Sequence, residues 1–229
     1  MLSAKKKITK KEIKEDKLVT SYYKFYNFFM ENQKRFLIGL GFIAVIVVAF
    51  ILINNKKKND NIAAANLLSK VVPLYESGSM KEAIEGVKTQ NIIGLKQIVD
   101  QYGSSEQGET AKIYLANAYS VLGELDKALE YYEDYSGSNE ILKATALAGK
   151  AGILQSKKEF EKASDIFMDA AHVSKTDPSN AEYVLKAGIC LLEAGKKEEA
   201  KQIFESIKKD YKNITPYLEL DKYITQTEL

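Results

Sequence analysis

Three side chains are alone of their kind in this sequence, Arg35, His172 and Cys190, and the last two could in principle do chemistry. His172 sits in MDAAHVSK with no second histidine to share a metal ion and no serine or cysteine relay beside it. It reads as a surface or C-cap residue at the end of a helix. Cys190 has no partner for an intrachain disulfide, and its place beside Leu191 marks it as a small buried hydrophobe. Phosphate cradles need glycines at fixed spacing, which neither GLGF (39–42) nor LAGKAG (147–152) provides. The pair Glu198-Glu199 reads as a solvated helix face. Asn213-Ile214-Thr215 matches a glycosylation acceptor, a triplet common by chance. The basic tail KKKITKKEIKEDK could touch nucleic acid or ribosomal RNA, but anionic lipid or control of topology explains it more cheaply. The expectation is therefore no catalytic residue, no cofactor, no metal and no nucleic acid; the chain should act by binding.

Charge is distributed in three blocks. Residues 1–35 carry a formal +6, residues 36–53 carry no charge, and residues 54–229 carry a formal −4. From Phe36 to Asn55 there are twenty consecutive uncharged residues, bounded by Lys34-Arg35 and Lys56-Lys57-Lys58. As a helix these reach about 30 Å, the thickness of a bilayer's hydrocarbon core. Fourteen of the eighteen residues from Phe36 to Ile53 are Phe, Ile, Leu or Val, and together they favour insertion by about 6 kcal/mol. A cleaved signal peptide would need a shorter apolar core and a small-residue cleavage site directly after it. Here the one candidate, Ala63-Ala64-Ala65, lies beyond a hydrophilic spacer. The segment is expected to remain as an anchor.

Before the span lies SYYKFYNFF, whose rings suit headgroup depth. Basic residues close to the span tie in number on its two sides, Lys17, Lys24, Lys34 and Arg35 against Lys56, Lys57, Lys58 and Lys70; the six further lysines of the tail favour a cytoplasmic N-terminus. The expected organisation is a basic cytoplasmic tail with an aromatic interfacial segment (1–35), a transmembrane helix (36–55), a polar spacer (56–61) and a helical repeat domain (62–229).

Self-similarity dominates that last part. KIYLANAYSVLGELDKALEYYEDY (112–135), LAGKAGILQSKKEFEKASDIFMDA (147–170) and VLKAGICLLEAGKKEEAKQIFESI (184–207) align. Their alanines Ala128, Ala163 and Ala200 are 35 and 37 residues apart. An aromatic follows each by four residues (Tyr132, Phe167, Phe204), and a small residue precedes each by twelve (Ala116, Ala151, Gly188). Two antiparallel helices approach closely only where facing side chains are small, and the aromatic fills the wider gap beside them. Gly123 and Gly195 stand where a first helix must end in the left-handed conformation. Lys158 replaces that glycine in the middle copy, so its turn should be less ideal. GSMKEAI (78–84) repeats the turn-then-alanine pattern as a divergent first unit, interrupted by an extra stretch around Glu85–Gln90. Pro73 should end or kink the helix before it. Thr215–Leu229 reads as a final helix covering the end of the stack.

This small–Tyr–Gly–Ala–aromatic order resembles the tetratricopeptide repeat family, although no tryptophan stands at the fourth position (Lys112, Leu147 and Val184 do) and Pro178 lies three residues late. The resemblance implies an all-α fold, an N-terminal transmembrane helix followed by a tetratricopeptide-type helical-repeat solenoid. Anchor, spacer and body over residues 18–229 are also similar to the bacterial YfgM-like proteins, single-span proteins of the inner membrane whose repeats face the periplasm. That similarity implies an ancillary subunit of the Sec translocon with chaperone-like, protein-binding character. Its partners would be Sec subunits, periplasmic chaperones or translocating chains. The rival expectation is a structural organiser of a cell-envelope complex with no role in translocation. In the repeat family the first helices of successive repeats line a concave groove. Carried over by position, its lining is Ile113, Asn117, Ser120, Val121, Ala148, Gln155, Leu185, Ile189 and Leu192.

Overall fold

The structure is a computed structural model describing residues 17–211 and 217–228. Most of the basic tail, the Asn213-Ile214-Thr215 triplet, and the first two and last residues of the expected final helix lie outside those residues. Two compact units divide at Lys56/Lys57, and helix α1 (Lys17–Glu76) contributes to both.

In the first unit, α1 carries the uncharged run. Every side chain from Phe36 to Ile53 is exposed, and the helix is long and apolar enough to cross a membrane. Upstream, the aromatic segment packs on itself: Tyr22 stacks on Tyr26 at 6.3 Å between ring centroids, and Phe28 meets Phe36 edge-on at 5.9 Å.

In the second unit the same helix acquires a buried stripe. Ala64, Leu68 and Val71 recur at helical spacing and join one hydrophobic cluster. Pro73 does not end α1. The helix runs on to Glu76 with the Pro73 ring exposed on its surface and the Pro73 carbonyl accepting from Ser77 N–H. The stop comes at Gly78, whose φ of 80° is left-handed. A proline facing solvent forfeits one helical hydrogen bond, whereas a left-handed residue turns the chain away.

The short helix α2 (Met80–Glu85) follows. The extra stretch then forms a two-stranded ribbon, β1 (Gly86–Val87) against β2 (Ile92–Ile93), antiparallel, joined through a 3-10 turn at Lys88–Gln90. Gly86 has φ 83°, and a Cβ there would lie 2.4 Å from the Ile92 carbonyl oxygen, so the ribbon depends on glycine at that point. This ribbon is a departure from helix that sequence spacing did not describe. Beyond it run α3 (Leu95–Tyr102), α4 (Glu106–Val121), α5 (Leu125–Glu133), α6 (Glu140–Ser156), α7 (Phe160–Val173), α8 (Asn180–Glu193), α9 (Lys197–Asp210) and α10 (Tyr217–Glu228). From α3 to α10 each helix packs on its successor.

Four turns share one hydrogen-bond pattern. At Gly78, Gly123, Lys158 and Gly195 the residue's N–H donates to the carbonyl three before it, and the next N–H donates to the carbonyl five before that donor. This is the Schellman closure, which satisfies carbonyls left over at a helix end. Lys158 holds φ 63° without being glycine, a conformation that costs an L-residue about 1–2 kcal/mol. Five residues after each turn stands an alanine, Ala83, Ala128, Ala163 or Ala200, and all four are fully buried. The aromatics Tyr132, Phe167 and Phe204 are buried beside them. At Gly188 the fit is close: a Cβ there would lie 2.4 Å from Phe204 Cε1.

Polar groups are buried at the α4 N-terminus. Ser105 caps the helix, accepting from Gly108 N–H, and Asn61 of α1 accepts from Gln107 N–H at 2.7 Å. Lys112, standing where the repeat family has tryptophan, pairs with Glu109 at 3.0 Å and with Asp134 at 2.8 Å. Burial opposes its charge, but the hydrogen bonds to Asp134 and Glu109 outweigh that and raise its pKa. Glu109 also accepts from the Ser136 N–H and hydroxyl, tying α4 to the loop after α5. At the far end Leu220 of α10 is buried, Tyr223 stacks on Phe204 at 5.6 Å, and Lys201 pairs with Glu228. The last helix therefore closes the stack.

Two substitutions test this arrangement in the 57–229 unit. Lys158→Gly relieves the left-handed strain and should stabilise by about 0.5–1 kcal/mol after the added chain entropy of glycine. Thermal unfolding should show it as a rise of about 2 °C; a fall would mean the turn is not strained. Ala163→Trp forces a large ring into a fully closed helix contact and should destabilise by about 3 kcal/mol or more. An unchanged melting curve would contradict the helix pairing.

Candidate protein-binding groove

The nine positions expected to line a groove lie on α4, α6 and α8, and the structure treats them unequally. On α4, Ile113 is buried in the same cluster as Leu115 and Tyr119, so its side chain is part of the core. Asn117 is half-buried and accepts a hydrogen bond from the Tyr132 hydroxyl. That bond crosses from α5 to α4, and burial pushes the Tyr132 pKa up to about 12. Ser120 is half-buried, with its carbonyl used in the Schellman turn at Gly123. Val121 is 66 % exposed, one of the few large apolar side chains the repeat unit leaves in the open.

On α6, Ala148 and Gln155 are half-buried, and the Gln155 carbonyl closes the turn at Lys158. On α8, Leu185, Ile189 and Leu192 are half-buried at helical spacing. Ala148 and these three border one hydrophobic cluster, the one built around Phe204 and Ile207. Ala148 of α6 and the three α8 positions thus border one apolar seam, which does not include Gln155, whereas Ile113 belongs to a different cluster. Half-covered aliphatic groups of this kind can take an extended or helical peptide without strict reading of its sequence.

The residues weighed for chemistry fall into ordinary surroundings. His172 is exposed in the last turn of α7. Cys190 is fully buried, and burial pushes its thiol pKa up to about 11, away from the reactive thiolate. Glu198 and Glu199 are exposed in the first turn of α9. Among the described residues no group of three or more His, Cys, Asp or Glu side chains is placed to hold a metal ion.

Two features escaped sequence reasoning. One is the buried Glu109–Lys112 pair, met by the exposed Asp134 carboxylate; its signal was a lysine at the repeat position that the other two copies fill with Leu147 and Val184. The other is a polar recess of ≈ 530 Å³ beside the α4 N-terminus, lined in part by Lys57, Lys58, Glu106 and the Ser136–Ser138 loop. Those residues are up to 81 positions apart in the chain, and no local pattern connects them.

No curated protein and no solved structure matches the chain. A family model described as a tetratricopeptide repeat-like domain matches residues 26–221, beginning within the aromatic segment and taking in the whole uncharged run. Such repeat domains typically serve as protein-binding scaffolds rather than enzymes. With three aligned copies, four equivalent turns and that match over most of its length, the chain belongs to the tetratricopeptide repeat-like domain family.

Proposed function

We propose that this is a single-pass membrane protein whose repeat unit binds other proteins at the bilayer surface. One observation carries the reading: from Phe36 to Ile53 no side chain is charged and every one is exposed. Leaving a large aliphatic side chain in water costs roughly 1.5–3 kcal/mol relative to burying it. A hydrocarbon core removes that cost for the whole run at once. The 36–55 segment is then the span, 1–35 the tail and its interfacial aromatics, 56–61 the spacer and 62–229 the binding domain.

The finer reading rests on the resemblance to the YfgM-like proteins. It puts the tail in the cytoplasm and the repeats on the periplasmic face of a bacterial inner membrane. There the protein acts as an ancillary, chaperone-like adaptor of the Sec translocon. The seam of Ala148, Leu185, Ile189 and Leu192, with Val121 exposed on α4, is the surface offered to a partner. Anchoring acts by proximity: a groove confined to the membrane meets emerging chains at a high effective concentration without any need for tight intrinsic affinity.

Topology and partner are tested separately. Protease added to spheroplasts should remove the chain beyond about Lys58, whereas full protection would reverse the orientation. Photocrosslinkers placed at Val121, Ile189 and Leu192 should give adducts with secretory chains in transit and with Sec subunits. Adducts with a single stable envelope partner would replace the translocon reading with that of a structural organiser.

A further inference from the structure

The polar recess at the start of the repeat unit has a charge pattern that neither the family nor the groove accounts for. Lys57 and Lys58 are exposed and have no carboxylate partner among the described residues. Glu106, in the first turn of α4, is exposed and likewise makes no ion pair there. Glu109 is already satisfied by Lys112 and Ser136, so it adds no free charge. The remaining lining includes the exposed serines Ser104 and Ser138 and Gly137. No lining residue is aliphatic or aromatic. The recess therefore offers two positive charges, one negative charge and hydroxyls, in a volume of ≈ 530 Å³ that suits a small molecule.

We propose that this recess holds the headgroup of a membrane phospholipid of the phosphatidylethanolamine type. The proposal rests on reading residues 36–55 as a span. Lys57 and Lys58 follow Asn55 by two and three positions, which along a helix is about 3–5 Å. If the uncharged run fills the hydrocarbon, these two ammonium groups stand at the level of lipid phosphates. The phosphodiester then meets Lys57 and Lys58, and the primary ammonium of the same headgroup meets Glu106 and a serine hydroxyl. A choline headgroup carries no N–H to donate to either. A glycerol headgroup would leave the Glu106 carboxylate without a cation. Because no lining residue is aliphatic or aromatic, the acyl chains stay in the bilayer and the headgroup alone enters.

The test uses the full chain in nanodiscs of equimolar phosphatidylethanolamine and phosphatidylcholine, with the lipids that remain bound counted by native mass spectrometry. Phosphatidylethanolamine should be retained over phosphatidylcholine by about threefold, the range of one exposed ion pair. Glu106→Gln should bring that ratio near one without reducing total lipid retained. Lys57→Gln combined with Lys58→Gln should reduce retention of both lipids. No enrichment, or an enrichment that Glu106→Gln leaves unchanged, overturns the proposal. Loss of the bound lipid to soluble glycerophosphoethanolamine would assign the recess to a free headgroup and overturn it as a lipid site. Alkaline carbonate separates the two levels. A chain that resists extraction yet shows no enrichment rejects the recess alone, whereas an extracted chain rejects the span.

Discussion

Two antiparallel helices can lie only as close as the bulkiest side chains between them allow, and this protein's repeat unit is organised around that limit. Ala128, Ala163 and Ala200 are fully buried, each with an aromatic one turn further along the same helix. The small residue brings the backbones together, and the ring fills the space that opens where they diverge. Gly188 shows how strict the contact is, since even a methyl group there would collide with Phe204. Everything downstream, from the seam of the candidate groove to the closing helix α10, takes its position from these contacts.

That constraint holds only if every repeat turns at the same point. The left-handed residue at 78, 123, 158 or 195 stands five positions before its alanine, so the turn sets the register in which the next helix meets the last. Lys158 keeps the turn despite lacking glycine's freedom, because the contacts of α6 with α7 compensate a local strain of about 1–2 kcal/mol. In the first repeat, by contrast, the second helix stops after Glu85 and gives way to a ribbon. Val87 stands there in place of the aromatic, so a longer helix would have lacked its packing residue.

The N-terminus of α4 is built differently. Lys112 takes the place of an aromatic and is buried, held by Glu109 and Asp134. A buried charge is tolerated only when paired and hydrogen-bonded, and here the pairing also fixes the loop after α5. The same loop and the α4 N-terminus form the rim of the polar recess. A candidate seam of apolar residues and a polar recess thus lie in separate parts of one unit.

The sequence by itself determined the uncharged run, the three repeat copies, the glycine turns at 123 and 195 and the burial of Cys190. All of these are local: a length of apolar chain, a spacing along one helix, or a residue's need for positive φ. Tertiary structure alone decided which expected groove residues are surface. Ile113 and Val121 both sit on α4, but one is enclosed by neighbouring helices and the other is not. It also decided that α1 would pass Pro73, because whether that ring faces solvent depends on which side of the helix packs. And it alone assembled Lys57, Lys58, Glu106 and Ser138, whose meeting depends on how α1, α4 and a later loop fold back together. Periodicity reports the face of one helix, and it carries no information about what another helix will bring to it.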